Sequence, residues 1–244
     1  MTSNKNIKYE SDQIESFYKD HRSKWEDFYP SEHYIFEATG IQPSSTILDI
    51  GCGCGGLGNA LRQKYGAVQY TGIDINEKAI QTGQKLYPEF TLLAGDILNG
   101  DNLGLGEENF DVVIALGCID FNVEFDRMLS AAMSHLKPGG IFISSFRLTN
   151  KKSLTELDEA FQYINFDGAL EGEKAPYVVM NYHDMMKKIE AFSPQKIHAY
   201  GYWGKPSRTA IIPYDEIFFS VFAVTKGPSD MCTYVLDIPD TIKE

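Results

Sequence analysis

The sequence predicts an α/β fold: a doubly wound, mostly parallel sheet with helices on both faces. Three observations predict it. Short β-rich runs alternate with helix-length segments between residues 46 and 146, the pattern of βαβ units with right-handed crossovers. The first of these runs ends directly in a glycine cluster, DIGCGCGG at 49–56. The run FDVVIAL at 110–116 is almost unbroken apolar sequence, as in a strand buried on both faces.

The elements follow in order. Residues 7–39 carry apolar and aromatic residues at helical spacing, among them Ile14, Phe17, Trp25, Phe28, Ile35 and Phe36, and Pro30 divides the stretch into two pieces. Ser31 is placed to cap the second piece and Gly40 to stop it. A strand at 46–50 is followed by a helix at about 57–64, a strand at 68–73, a helix at 77–86 capped by Asn76, and a third strand at 90–93. A polar, glycine-containing loop at 99–109 leads to the fourth strand at 110–116 and a helix within 123–136. The KPGG turn at 137–140 precedes a fifth strand at 141–146. Beyond Arg147 the alternation loosens. A helix at 153–163, a loop at 165–176, a helix at 182–192 and strands near 196–203 and 216–225 are expected, then a short polar tail with little order. The chain therefore divides into N-terminal helices over 1–40, one domain over 41–227 with an insertion at about 148–180, and a tail at 228–244.

The bulk numbers exclude several classes of function. With 22 basic and 34 acidic side chains among 244 residues, the formal net charge is −12. Proteins that grip nucleic acid rely on Lys and Arg to displace counterions from phosphates, and no basic run is present, so no nucleic-acid partner is expected. The same charge disfavours an anionic membrane surface, and no apolar run is long enough to span a bilayer. The first residues are polar and unlike a signal peptide. The four cysteines, Cys52, Cys54, Cys118 and Cys232, are too few for a disulfide scaffold, so a reducing, cytoplasmic setting is expected. Cys52 and Cys54 form a C-x-C pair without the four ligands that a structural zinc needs. They read as small residues packing a tight loop, and no metal is expected.

The glycine loop is where the chemistry begins. Glycine is needed there because the turn demands unusual backbone angles and because a ligand must approach the main chain closely. Gly51, Gly53 and Gly56 also fit G-x-G-x-x-G, the dinucleotide fingerprint. Three carboxylates accompany the loop. Asp49 stands two residues before the first glycine, where it can accept a hydrogen bond from a ligand ammonium or its water. Asp74, in TGIDIN at 71–76, closes the second strand and can take both hydroxyls of a ribose; it also reads as a cap of the next helix. Asp96, in AGDI at 94–97, follows the third strand and can accept from the exocyclic amine of adenine, with Ile75 and Ile97 to sandwich the ring. Gly-Asp is ordinary turn chemistry as well.

On LDIGCGCG at 48–55, GIDI at 72–75, Gly95-Asp96, FDVV at 110–113 and LKPGG at 136–140, the chain resembles the class I, Rossmann-like S-adenosylmethionine-dependent methyltransferases. The resemblance spans roughly residues 45–147. It implies a seven-stranded sheet with the last strand antiparallel and S-adenosylmethionine as cofactor. It further implies that Gly51, Gly53 and Gly55 line the methionine moiety, that Asp74 holds the ribose, that Asp96 faces adenine, and that Leu116 and Gly117 sit beside the cofactor. The doubled cysteine departs from the usual small residues of the loop and leaves its glycine pattern intact.

Methyl transfer asks mainly for near-attack geometry, and for a hydroxyl acceptor also a base. His183 in NYHD at 181–184, His21, and Asp120 just past the fourth strand are the candidate bases. Two aromatic and polar clusters, FYKDHRSKW at 17–25 and YGYWGKPSR at 200–208, supply candidate acceptor contacts: Trp25, Tyr202, Trp203 and Arg208, together with Arg147. Arg147 and Arg208 would suit a phosphate or carboxylate. The N-terminal helices would cap the cofactor site. The reading is methyl transfer to an oxygen or nitrogen of a small molecule. The alternatives are an NAD-dependent oxidoreductase, in which Asp96 and the KPGG turn have no task, and a non-catalytic S-adenosylmethionine-binding protein.

Overall fold

The computed structural model describes residues 21–66, 68–105, 110–165, 167–227 and 231–244; the helical expectation over 7–20 lies outside them. Pro30 opens helix α1 (Pro30–Thr39) instead of interrupting one, because its fixed φ suits the first helical position. Ser31, expected as the cap, lies inside the first turn, and Tyr29 is the capping residue. Glu32 reaches back to accept from the Tyr29 amide at 2.8 Å. Gly40 ends the helix at φ 68°.

The alternating elements form as expected. They are β1 (Thr46–Ile50), α2 (Gly56–Tyr65), β2 (Gln69–Asp74), α3 (Glu77–Leu86), β3 (Thr91–Ala94), β4 (Phe110–Ala115), α4 (Phe125–Ser134) and β5 (Leu136–Thr149). Asn76 caps α3 by accepting from the amides of Lys78 and Ala79. The KPGG turn is absorbed into the start of β5, which is much longer than the residues expected for it.

After β5 the structure corrects the expectation. No helix forms over 153–163. Leu154 makes a bridge to Val179, and a small antiparallel sheet is built from β6 (Phe161–Tyr163), β7 (Lys174–Pro176) and β10 (Ala210–Ile211). The apolar spacing there is satisfied by strand pairing: Phe161 and Tyr163 lie on one face of β6, and the Lys174 ammonium sits over both rings. The chain continues through β8 (Met180–Asn181), α5 (Tyr182–Glu190), β9 (Lys196–Gly204), β11 (Ile217–Thr225) and β12 (Thr233–Asp237).

Among the described residues the main sheet has nine strands, not seven, in the order β12-β9-β11-β5-β4-β1-β2-β3, with β8 also pairing β5. Strand β11 runs antiparallel to both β5 and β9. The last strand of the chain, β12, is instead parallel to β9. Residues 231–244 of the tail are thus ordered, against expectation: β12 pairs with the otherwise open edge of β9, and Ile242 behind it is fully buried.

Neighbouring strand residues face opposite layers. Ile47, Val112 and Ile114 pack with Ile35, Phe36 and Leu61 of α1 and α2 on one face. Leu48, Val113 and Phe142 pack with Met128 and Leu129 of α4 and Met185 and Ile189 of α5 on the other. This double burial explains the unbroken apolar run in β4. The parallel strands β1, β2, β3 and β4 all end at one rim, where such sheets place their ligands.

Candidate active site

A cavity of about 960 Å³ opens at that rim. This lies at the upper end of the roughly 300–1,000 Å³ typical of small-molecule pockets. One side is the glycine loop. Gly51, Gly53 and Gly55 have φ of 78°, 55° and 81°, all in the left-handed region that glycine tolerates. The amides of Gly51 and Cys52 both donate to the Ile73 carbonyl, at 2.8 and 3.0 Å, which pins the loop to the end of β2. A Cβ on Gly51 would meet Cys118 Sγ at 2.7 Å.

The two loop cysteines explain two glycines elsewhere. A Cβ on Gly72 would come within 2.7 Å of Cys52 Sγ, and one on Gly83 within 2.5 Å of the Cys54 carbonyl oxygen. Both cysteines are buried, and burial pushes the Cys52 thiol well above its usual pKa. Among the described residues no cluster of His, Cys, Asp and Glu is arranged to hold a metal.

Asp49, Asp74 and Asp96 all line the cavity. Asp49 is buried at the end of β1 and accepts from the Tyr70 hydroxyl at 2.5 Å. Burial raises its pKa to about 7; Tyr70 and Arg22 ease the shift, while the nearby Asp74 charge adds to it. Asp74 accepts from the Gly53 amide with one oxygen and the Asn76 amide with the other, each at 2.8 Å. Burial raises its pKa too, against those two backbone bonds. Its carboxylate therefore holds the glycine loop in place and keeps one lone pair on each oxygen for a further donor. Asp96 is half-buried and accepts from the Leu98 amide at 2.9 Å. Ile75, Ile97, Leu116 and Gly117 complete this side of the cavity, and the Gly117 amide is fixed on Ser145 Oγ at 2.7 Å.

The rest of the wall comes from the N-terminal segment, whose Arg22 backbone lies directly against Gly56, and from the small sheet and β9. His21 and Tyr202 are both in its wall. Asp120 is buried there and is bound to Arg147: Arg147 Nε donates to Asp120 Oδ2 at 2.6 Å, and Nη2 donates to the Asp120 carbonyl at 2.8 Å. The guanidinium lies against the rings of Tyr177 and Phe121, at 3.6 and 4.1 Å from their centroids. Burial works against its charge, yet Asp120 holds its pKa above the ordinary value. An Arg147 poised for a phosphate or carboxylate is therefore not what the fold builds, since its charge is already taken.

Four expected site residues are placed elsewhere. His183 is exposed at the start of α5, with Nε2 at 2.9 Å from the Lys243 carbonyl. Trp203 follows Tyr202 on β9 and so faces the other layer, where Nε1 donates to Thr241 Oγ1. Trp25 stacks on His33 and packs against Phe36 and Tyr65, outside the cavity. Arg208 is exposed beside Gly168. Conversely, Arg22, Glu32, Tyr29, Phe121 and Tyr177 line the cavity without having been singled out. None carried a sequence signal, since Tyr29 is not the Ser or Thr that a capping box asks for three residues before Glu32; Glu32 also accepts from Arg22 Nη2 at 2.8 Å.

Comparison with known proteins agrees with this geometry. Residues 41–197 match the family described as a methyltransferase domain. A phthiotriol/phenolphthiotriol dimycocerosates methyltransferase of Mycobacterium leprae is 33% identical over 117 residues, covering 47% of this chain and 42% of that protein. The 18S rRNA (guanine(1575)-N(7))-methyltransferase of Saccharomyces cerevisiae is 29% identical over 145 residues, covering 55% of this chain and 52% of its own. The chain thus spans about half the length, or less, of these curated relatives. Phosphoethanolamine N-methyltransferase 2 of Haemonchus contortus, solved with phosphomonomethylethanolamine and S-adenosylhomocysteine, shares the fold at a TM-score of 0.59 and 14% identity, covering 82% of this chain and 53% of that one. With well over half of its residues matched, and with the glycine loop and strand-end carboxylates in the expected places, the chain belongs to the methyltransferase-domain family, in the class I fold of S-adenosylmethionine-dependent methyltransferases.

Proposed function

We propose that this chain transfers the methyl group of S-adenosylmethionine to an oxygen or nitrogen of a small molecule held in the same cavity. The observation that carries the reading is the set of three carboxylates, Asp49, Asp74 and Asp96, at the ends of three strands around a glycine loop too tight for a Cβ. In this reading Gly51, Gly53 and Gly55 border the methionine moiety and Asp49 meets its ammonium. Asp74 accepts from the ribose, and Asp96 faces adenine between Ile75 and Ile97, with Leu116 and Gly117 beside the cofactor. S-adenosylmethionine supplies a methyl group on a sulfonium that is already a good leaving group. The protein's part is to hold the acceptor in line and to keep water out. The N-terminal segment does so from above through Arg22, Phe28 and Tyr29. Tyr202, Asp120 and Arg147 shape the acceptor end, and His21 is the candidate base at the cavity.

The relatives named above act on a lipid and on an rRNA, so family membership does not choose the acceptor. The net charge of −12 supports a small molecule over nucleic acid. Among the described residues no helix is long and apolar enough to cross a membrane. Calorimetric titration with S-adenosylhomocysteine tests the cofactor. Micromolar binding is expected, weakened about 10- to 100-fold by Asp74→Ala, as for loss of charge-assisted hydrogen bonds. Binding of NAD and not of S-adenosylhomocysteine would overturn the proposal.

A further inference from the structure

Arg22 is held against the glycine loop by more contacts than a surface arginine needs. It is one of two non-glycine residues with positive φ among the described residues, at 56°. That conformation is costly for an L-residue and persists only where the surroundings enforce it. A Cβ on Gly56, the first residue of α2, would stand 2.4 Å from the Arg22 carbonyl oxygen, so the bare glycine is what lets the Arg22 backbone lie on the helix start. Asn59 Nδ2, on the same helix, donates to the Ser23 carbonyl at 2.8 Å. The guanidinium stands over the Phe28 ring, 4.4 Å from its centroid, and Nη2 donates to Glu32 Oε1 at 2.8 Å.

The side chain is thereby fixed in the cavity wall, near enough to Asp49 for its charge to favour the ionised carboxylate. One of its five N–H donors is used among the described residues, and the side chain is 29% exposed. Arg147 differs on both counts, being 5% exposed with Nε and Nη2 both bound to Asp120. Lys205 also lines the cavity, but it follows β9, four strand positions from β1 in the sheet, on the order of 19 Å at the usual strand spacing. His21 precedes Arg22 in the wall and is the more exposed of the two. The methionine moiety of the cofactor is an α-amino acid, with ammonium and carboxylate borne by one carbon. Asp49 supplies the anion for the first, and the second calls for a cation at the same place. We infer that Arg22 binds the α-carboxylate of the cofactor through its remaining N–H donors, and so makes the site select the intact amino acid over ligands that keep the ammonium and lack the carboxylate. Hydrogen bonds from a planar guanidinium to a carboxylate are short and roughly twice as strong as neutral ones. Glu32 shares the guanidinium and tempers its pull on the ligand. This inference rests on the S-adenosylmethionine reading, since it assigns a further contact of that cofactor.

The test compares S-adenosylhomocysteine with its decarboxylated analogue, which keeps the adenosine, the thioether and the amine, by calorimetric titration into the full chain. The unmodified chain is expected to bind S-adenosylhomocysteine about tenfold more tightly or better, as for a charge-assisted pair. R22Q is expected to bring the two ligands within about threefold of each other by weakening S-adenosylhomocysteine alone. E32Q, whose amide oxygen can still accept from the Tyr29 amide, is expected to widen the ratio, because Arg22 no longer shares its charge with Glu32. Equal affinities in the unmodified chain would overturn the inference. So would an R22Q that weakens both ligands alike, which makes Arg22 an anchor of the segment only, or one that leaves the ratio intact, which passes the role to His21 or Lys205. Should R22Q fail to fold, E32Q decides, and an unchanged ratio there overturns the inference. Failure of S-adenosylhomocysteine to bind the unmodified chain at all would instead count against the S-adenosylmethionine reading.

Discussion

Asp49 is the residue whose chemistry is most altered by its place. Its pKa near 7 reflects burial beside Tyr70 and Asp74, so the folded state holds a proton that the unfolded chain, with a value near 3.8, gives up. Stability from this group is therefore present at low pH and is lost as pH rises from about 4 to 7. Asp49→Asn should flatten that decline in melting curves taken across the window. Ligand binding should run the other way: an ammonium favours the ionised form, so S-adenosylhomocysteine affinity should be about tenfold lower at pH 6 than at pH 8, and Asp49→Asn should bind weakly at both. An unchanged affinity across that range would mean that Asp49 does not meet the ligand. Gly51 provides a second test at this scale. Gly51→Ala combines a φ of 78° with a Cβ at 2.7 Å from Cys118 Sγ, whereas Gly117→Ala has φ 56° and open space around its Cβ. Both should lose about 1–2 kcal/mol to backbone strain, and only Gly51→Ala should lose more by displacing Cys118. Most of the proposed cofactor residues were legible because they lie in one short, ordered series of motifs. The rest of the wall was not, because Arg22, Phe121 and Tyr177 meet only through the fold, and because adjacent aromatics such as Tyr202 and Trp203 point to opposite layers.

At the scale of elements, periodicity identified the units whose faces are buried in one layer or two. It failed over 153–163, where Leu154, Leu157 and Phe161 mimic helical spacing but Leu157 is 41% exposed and the backbone pairs with β7 and β10. Nothing local distinguishes those outcomes, since the pairing partners are supplied by residues 174–176 and 210–211. Helix α3 gives the sharpest prediction here. Alanine in place of a helical glycine ordinarily stabilises by about 0.5–1 kcal/mol. At Gly83 the new Cβ would stand 2.5 Å from the Cys54 carbonyl oxygen and 2.7 Å from Leu92 Cδ1, so Gly83→Ala should lower the melting temperature instead of raising it. It should also weaken S-adenosylhomocysteine binding, because the displaced backbone belongs to the glycine loop. A stabilised protein with unchanged affinity would show that α3 can move away from the loop.

At the scale of the molecule, the cavity is assembled from segments far apart in sequence, from Arg22 to Tyr202, on a sheet whose edge is closed by the last residues of the chain. Composition could not announce that closure. The segment is short, and although Thr233-Tyr-Val-Leu236 is a strand-like run, its order depends on pairing with β9 and on scattered anchors. Trp203 Nε1 donates to Thr241 Oγ1 at 2.9 Å, Asn150 Nδ2 donates to the Thr241 carbonyl at 3.0 Å, Tyr34 donates to Asp237, and Ile242 is fully buried. No residue of this segment lines the cavity. Removing residues 231–244 should therefore separate stability from binding. Exposing the edge of β9 and the Ile242 pocket should lower the melting temperature by on the order of 10 °C, given that each kcal/mol moves a chain of this size by about 2–4 °C. The bared strand should also promote concentration-dependent association, as open sheet edges do. Affinity for S-adenosylhomocysteine, measured below the new melting temperature, should stay within about twofold. A truncated chain that melts normally yet has lost the ligand would mean that the C-terminal strand acts on the site itself, through the contact of Asp237 with α1 and from there through the Glu32–Arg22 pair that α1 presents to the cavity.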